Sequence, residues 1–281
     1  MEIIIANKYK VLELLGEGAF GKVFKSLNIN THEEVAIKIG YSDGEALIKN
    51  EARIINQLKL IKGVPTLRYY GVENTYHYLV MDILGKSLED IRLMSDGTIK
   101  LKEVISIGIK VIDLLENIHM QGIVHRDVKP ENILFDKDNS SLIYIIDYGL
   151  SKYFKINNNY ITCEYDKNLV GTSLYASLNV HNGITATPRD DLESLGYVLL
   201  YLYQGSLPWQ NVEFSTKKEK YKKTIIMKKN IFTHYINSKI KIPMEFLLII
   251  DYSRNLLYED IPNYKYLKNL LNNLNNIITL N

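Results

Sequence analysis

The stretch His125-Arg126-Asp127-Val128-Lys129-Pro130-Glu131-Asn132 is a polar loop set between two apolar runs, residues 111–118 and 133–135. Into a short span it packs a carboxylate (Asp127), an ammonium (Lys129) and a carboxamide (Asn132). Such groups converging between buried elements suit phosphoryl transfer. One carboxylate receives a hydroxyl proton, one cation neutralises the moving phosphate, and one amide oxygen ligates a metal. A solvated turn with chance charges has the same composition, so the reading depends on partners elsewhere in the chain.

Upstream, residues 9–40 read as strands. The apolar run 11–15 ends at Gly16, and Gly16-Glu17-Gly18-Ala19-Phe20-Gly21-Lys22-Val23 follows. Glycines at this spacing let a hairpin backbone lie close over phosphates without Cβ clashes. Alone, G-x-G-x-x-G also fits a plain β-turn or a dinucleotide-binding turn. The context separates these, because the motif leads into a second strand (23–29) whereas the dinucleotide fingerprint opens a helix. Lys38 then sits in the strand Val35-Ala36-Ile37-Lys38-Ile39. An inward lysine is costly unless it is paired with an anion. Residues 45–60 place Leu47, Ile54, Ile55 and Leu58 on roughly one helical face, with Asp43 and Gly44 as the expected cap. Glu51 on that helix is the expected partner of Lys38. Glu45 is the competing acid, but a carboxylate in the first turn is more simply explained by the helix dipole.

Downstream, Gly63-Val64-Pro65 is a break, and 67–72 and 76–82 alternate like strands. Residues 82–85 look like a linker between a strand-rich N-terminal lobe and a helical remainder. Ser87-Leu88-Glu89-Asp90 has the shape of a capping box. Residues 101–120 read as a long core helix. A buried strand at 142–146 ends on Asp147-Tyr148-Gly149. That is where a metal-ligating aspartate belongs, although a strand-terminating turn looks the same. Residues 151–170 are polar and Asn-rich and read as a loop. A further apolar helix begins at Arg189-Asp190-Asp191-Leu192 and is closed by Gly205-Ser206-Leu207-Pro208-Trp209. Residues 217–229 hold seven lysines and one glutamate, which fits a solvated helix face and an anion-binding surface equally. Residues 244–280 read as two or three amphipathic helices joined near 259–262. There is no internal repeat.

The bulk numbers bound these readings. A chain of 281 residues with 46% hydrophobic and 23% charged residues is an ordinary globular protein, long enough for two lobes. A formal net charge of +2 gives no argument for a polyanion, so no nucleic-acid partner is expected. Cys163 is the only cysteine, so no intrachain disulfide forms, which fits a reducing compartment. Met1-Glu2-Ile3-Ile4-Ile5 is too short and acidic for a signal peptide. No apolar segment approaches the roughly 20 residues of a membrane span. The expectation is a soluble monomer of the cytoplasm or nucleus, with no membrane partner.

Taken in order, the glycine loop, V-A-I-K, H-R-D-x-K-x-x-N and D-Y-G resemble a eukaryotic-type protein kinase. The resemblance is closer still to the casein kinase 1 family. That family has Ser-x-Asn where others have A-P-E, and here the residues are Ser177-Leu178-Asn179. Leu84-Gly85-Lys86-Ser87-Leu88-Glu89-Asp90 and the stretches 189–197 and 205–210 are similar to the family as well. The resemblance implies an α+β bilobal fold, with a small antiparallel β-rich N-lobe and a larger helical C-lobe. It implies one kinase domain over 9–274: N-lobe to about 81, hinge 82–85, C-lobe from about 86, and no separate regulatory domain. It implies a serine/threonine kinase that uses ATP and Mg2+ on protein substrates.

Residue by residue, the resemblance makes Gly16, Gly18 and Gly21 the phosphate-covering loop and Lys38 and Glu51 the ion pair. Asp127 becomes the catalytic base, Lys129 the γ-phosphate contact, and Asn132 and Asp147 the magnesium ligands. Leu15, Val23, Ala36, Met81, Asp82, Leu84 and Leu134 would surround adenine, with Met81 as gatekeeper. Thr172 would brace the loop through Asp127 and Lys129, and Asp191 would pin its backbone. Lys167 and Lys220 match members of a basic site for substrate anions. Two departures stand out. Tyr148 replaces the usual Phe, so its hydroxyl needs a partner. Leu174 stands where the family often has an Arg, so a priming phosphate loses a bidentate contact. A dead scaffold would have lost Lys38, Asp127 or Asp147, and all are present. A kinase for small molecules fits the substrate-side segment 171–189 poorly. Constitutive activity on acidic or primed substrates is the expectation.

Overall fold

The computed structural model describes residues 2–18, 21–41, 44–73, 75–238 and 240–280. The chain forms two compact units. One takes in the chain up to Lys86 together with Leu134–Ser151. The other takes in Ser87–Ile133 and the chain from Lys152 onward.

The first unit is built on an antiparallel sheet of β1 (Ile4–Ile5), β2 (Tyr9–Gly18), β3 (Gly21–Asn28), β4 (Glu34–Gly40), β5 (Leu67–Glu73) and β6 (Tyr76–Asp82), in the order β1-β2-β3-β4-β6-β5. Side chains alternate between the faces of a strand, and directly paired residues share a face. On one face Ile5, Tyr9, Val35, Ile37, Tyr78 and Val80 form an apolar cluster. The alternate residues Ala36, Lys38, Leu79 and Met81 therefore stand on the opposite face. The register agrees, pairing Val23 with Lys38, Lys38 with Leu79 and Ala36 with Met81. That face meets α1 (Glu45–Gln57), which buries Ile48, Ala52, Ile54 and Ile55. Asp43, expected as a cap, lies outside the described residues. Gly44 is the N-cap and makes no side-chain bond there.

Residues 134–151, which the sequence reading placed in the C-terminal lobe, pack with the sheet unit instead. The ribbon formed by Ile133–Phe135 and Ile143–Ile145 is tied to it by backbone hydrogen bonds. Gly85 N–H donates to Phe135 O at 2.9 Å, Phe135 N–H to Lys86 O at 3.0 Å, and Ile145 N–H to Gly63 O at 2.9 Å. The expected loop at 151–170 also carries order. Lys152–Tyr153 pairs with Ile123–Val124, and Lys155–Ile156 pairs with Asn159–Tyr160 in a tight hairpin. Asn157 and Asn158 turn it at φ 50° and 66°, a conformation asparagine tolerates better than most residues.

The second unit is helical. It contains α2 (Leu88–Met94), α3 (Leu101–Met120), α4 (Leu178–His181), α5 (Pro188–Gln204), α6 (Lys217–Lys229), α7 (Ile231–Asn237), α8 (Met244–Asn255) and α9 (Tyr264–Leu280). The capping box expected at Ser87 is present, with Ser87 Oγ accepting from Asp90 N–H at 3.1 Å. At the centre stands α5, buried at every position from Pro188 to Leu202. It packs against α3 and α8, and Gly205 in the left-handed region at φ 81° ends it. A helix apolar all round would only need burial. This one also carries Asp190, Asp191 and Glu193 inward, and each needs partners. No helix among the described residues is long and apolar enough to cross a membrane.

Gly196 lets α5 approach α8, because a Cβ there would collide with Ile250 Cγ1. Alanine is favoured over glycine in a helix by about 1 kcal/mol, but overpacking costs about 1–3 kcal/mol. Gly196→Ala is therefore expected to lower the melting temperature, and Ile250→Ala to remove much of the added cost in a double-mutant cycle. A higher melting temperature for Gly196→Ala would show that the helices do not meet there.

Candidate active site

The sheet unit gathers one group of charged residues. Lys38 on β4 is 9% exposed and faces two carboxylates. Its Nζ lies 2.7 Å from Glu51 Oε2 and 2.6 Å from Asp147 Oδ1. Burial pulls the Lys38 ammonium down, but Glu51 and Asp147 more than offset it and hold it above its usual range. Burial pushes the Glu51 carboxyl up, and Lys38 opposes that. The short contacts favour the ion pair over two neutral groups. Glu45 does not compete, since its Oε1 sits 3.2 Å from His77 Nε2.

Asp147 reaches this cluster because it adopts the left-handed region at φ 64°, just ahead of the 3-10 turn Tyr148–Leu150. Tyr148 is fully buried. The turn is fixed to α1 by Asn50, whose Nδ2 donates to Gly149 O and Ser151 O, each at 2.9 Å. Asn50 precedes Glu51, so one residue anchors the turn and the next reaches Lys38. The sequence reading did not single out Asn50. A polar residue beside the buried stripe of an amphipathic helix was the available signal.

The glycine loop lies at the end of the same sheet. Gly16 pairs with Val23 and Gly18 with Gly21. A Cβ on Gly21 would run into the Ile39 carbonyl, so the fold itself demands that glycine. Among the described residues, a Cβ on Gly16 or Gly18 would meet nothing within 4 Å. Packing among the described residues does not require those two, whereas close approach of a phosphate to the backbone would. Ala19 and Phe20 lie outside the described residues. Ala36 and Met81 form one rung of the sheet, Val23 and Lys38 another. Leu15 is exposed, while Leu84 and Leu134 are half-buried. The Asp82 carboxylate turns to β5, accepting from Arg68 Nε at 2.7 Å and Thr66 N–H at 3.2 Å.

The helical unit holds the second group. Asp127 is 6% exposed, and its two carboxylate oxygens have different partners. Oδ1 accepts the Thr172 N–H at 2.8 Å. Oδ2 lies 2.7 Å from Lys129 Nζ and accepts from Asn132 Nδ2 at 3.1 Å. Lys129 Nζ also donates to Thr172 Oγ1 at 3.1 Å. Asn132 Nδ2 donates further to Asp127 O at 3.0 Å, which leaves its amide oxygen as the group for other partners. The loop backbone hangs on Asp191, whose carboxylate accepts from His125 N–H at 2.7 Å, Arg126 N–H at 2.9 Å and the His119 ring at 2.9 Å. Burial pushes Asp191 up, but these bonds more than offset it and hold it below the usual carboxylate range. They also support Arg126 at φ 70°. Gly171, at φ 88°, passes so close to the Arg126 carbonyl that a Cβ would collide with it.

Lys167 lines a small concavity with Arg126, Lys152, Asn168 and Thr185. Lys220 Nζ lies 4.8 Å from the Phe214 ring centre. Lys167 is also paired with Glu164. Leu174 turns its carbonyl to Trp209 Nε1 at 2.8 Å.

Asn50→Asp places a carboxylate against carbonyl oxygens that now receive N–H bonds, where an unsatisfied buried polar group costs about 1–3 kcal/mol. It is expected to be less stable than Asn50→Ala in denaturant or thermal melts. Equal or greater stability of Asn50→Asp would remove Asn50 as the anchor of the turn.

A family model described as "Protein kinase domain" matches residues 9–276.

Proposed function

The chain belongs to the protein kinase domain family, and from that premise we propose that it is a serine/threonine protein kinase of the casein kinase 1 type. Lys38, held as a cation by Glu51, would contact the α- and β-phosphates of ATP. Gly16, Gly18 and Gly21 would lie over the phosphates. Leu15, Val23, Ala36, Met81, Leu84 and Leu134 would flank adenine, with backbone groups from Asp82 onward bonding its edge. Asn132 and Asp147 offer amide and carboxylate oxygens, a donor chemistry that fits a hard cation such as magnesium. Bound there, magnesium would supply positive charge to offset that of the phosphate oxygens.

The observation that carries this reading is the division of labour on Asp127. Thr172 N–H fixes one oxygen at 2.8 Å, and Lys129 stands 2.7 Å from the other. A carboxylate held this way can orient an acceptor hydroxyl and take its proton while Lys129 faces the transferring phosphoryl group. The lysine two residues after Asp127, together with the Ser177–Asn179 segment, supports serine and threonine over tyrosine as acceptors. Acidic or phosphorylated substrates would meet the basic groups around Lys167. Leu174 in place of an arginine would weaken the hold on a priming phosphate. Activity without phosphorylation of the protein itself completes the proposal.

The test is transfer of label from γ-labelled ATP to a mixed acceptor such as casein, followed by phosphoamino-acid analysis. Phosphoserine and phosphothreonine are expected, and Asp127→Asn should lower the rate by about a thousandfold or more, since it removes the acceptor of the hydroxyl proton and its charge. Phosphotyrosine as the main product, or transfer undiminished in Asp127→Asn, would overturn the proposal.

A further inference from the structure

The lysine-rich helix α6 breaks its own pattern at one position. Lys228 has no exposure to solvent, although it belongs to a run that the sequence reading divides between a solvated face and an anion surface. It belongs to neither. Tyr221, Thr224, Ile225 and Lys228 follow one another at helical spacing on the inner face, and Thr224 is buried with it. Lys228 Nζ lies 2.6 Å from Ala176 O, 3.0 Å from Ser173 O and 3.1 Å from His181 Nε2. The rings of Tyr197 and Trp209 flank it, with centres 4.7 and 5.2 Å away. An amine buried this deeply is costly, so its partners indicate what it is kept for. Two of those partners are the backbone carbonyls of one short segment.

That segment adjoins the proposed base. Thr172, which donates its N–H to Asp127 Oδ1, is bonded directly to Ser173. Tyr175 N–H and Ala176 N–H return to Thr172 O at 3.0 Å, so residues 172–176 form one closed turn. Lys228 grips that turn at both ends. Trp209 Nε1 holds Leu174 O between them, and Glu193 Oε1 accepts the Leu178 N–H at 3.2 Å just beyond. Arg254 closes the arrangement from α8, with Nε 2.9 Å from Glu193 Oε1 and Nη2 donating to Lys228 O at 2.8 Å.

We propose that Lys228 is a positioning residue for phosphoryl transfer: by holding the Ser173 and Ala176 carbonyls it keeps the Thr172 N–H on Asp127 and so orients the base. This rests on the reading of Asp127 given above. Both carbonyls are served in either protonation state. Burial pulls the Lys228 ammonium well below its usual range, with Glu193 opposing and Arg254 assisting. As an ammonium it donates to both carbonyls and to His181 Nε2. As a neutral amine it donates to both carbonyls, and its lone pair accepts the Nε2–H. Burial and Lys228 keep His181 neutral, with its pKa lowered to about 3.

The test compares wild type with Lys228→Met, which keeps the stem and donates nothing, and Lys228→Gln, which keeps a neutral N–H donor. Displacement of a catalytic group by about 1 Å costs on the order of a hundredfold in rate. The turnover number for a protein acceptor is expected to fall about 10- to 100-fold in Lys228→Met and less in Lys228→Gln, while affinity for an ATP analogue stays within about twofold. Amide exchange at Thr172, measured without substrate, should accelerate in the same order, and exchange in the centre of α5 should not. Should Lys228→Met fail to fold, Lys228→Gln carries both readouts.

Unchanged turnover and unchanged Thr172 exchange overturn the proposal, as does a loss of nucleotide affinity parallel to the loss of turnover. The exchange readout stands apart from activity. Faster Thr172 exchange in a protein whose wild type transfers no phosphate would support the clamp and refute the kinase reading instead.

Discussion

One buried carboxylate fixes the geometry of the helical unit's site. Asp191 is 2% exposed and receives N–H bonds from His125, Arg126 and His119. Two of those donors belong to the backbone of the loop that carries Asp127. An anion taken from water must be compensated nearly in full, and here the loop itself supplies much of the compensation. The loop cannot relax without leaving the carboxylate unpaired. His119 is oriented in turn by the Tyr264 hydroxyl at 2.7 Å, which brings α9 into the same network. The neighbouring acids of α5 repeat the arrangement outward. Asp190 accepts from Ser177 Oγ at 2.6 Å and from Thr187 N–H at 2.8 Å. Glu193 bonds Arg254 and Tyr197. The central helix thus works as a polar post inside an apolar body, and its first two turns hold the loop that carries Asp127 and the segment after Thr172.

Much of this was legible in the sequence because the signals are local. The β4 strand alternates cleanly, so Lys38 had to face away from the Val35–Ile37 cluster. The glycine spacing and the strand that follows it defined the hairpin. Helix α3 matched its apolar period from end to end. What stayed hidden depends on contacts distant in sequence. Residues 134–151 join the sheet unit through backbone bonds to Gly63, Gly85 and Lys86, and no periodicity announces such bonds. The hairpin at 155–160 turns on two asparagines that read equally well as loop. Lys228 was obscured by six lysines of the same type, and only the helical stripe through Tyr221, Thr224 and Ile225 marks it as inward.

The residues that the motifs did not name give this chain its particular character. Asn50 couples the helix bearing Glu51 to the turn bearing Asp147 through N–H bonds to the Gly149 and Ser151 carbonyls. Lys228, Trp209 and Glu193 hold residues 173–178 through the Ser173, Leu174 and Ala176 carbonyls and the Leu178 N–H. In both places the constraint comes from uncharged backbone groups and buried partners rather than from an exposed ion pair. Exposed pairs contribute little and weaken with salt. Leu174 is consistent with this pattern, since it contributes its carbonyl to Trp209 and no charge.

We propose that buried side chains such as Asp191 and Lys228 hold Asp127 in place without any added phosphate. The most direct measurement is the transfer rate of the purified protein before and after exhaustive phosphatase treatment, with mass spectrometry confirming removal of all phosphate. Equal rates within about twofold are expected, a difference of less than about 0.5 kcal/mol in the barrier. A loss of activity that returns on rephosphorylation would contradict it.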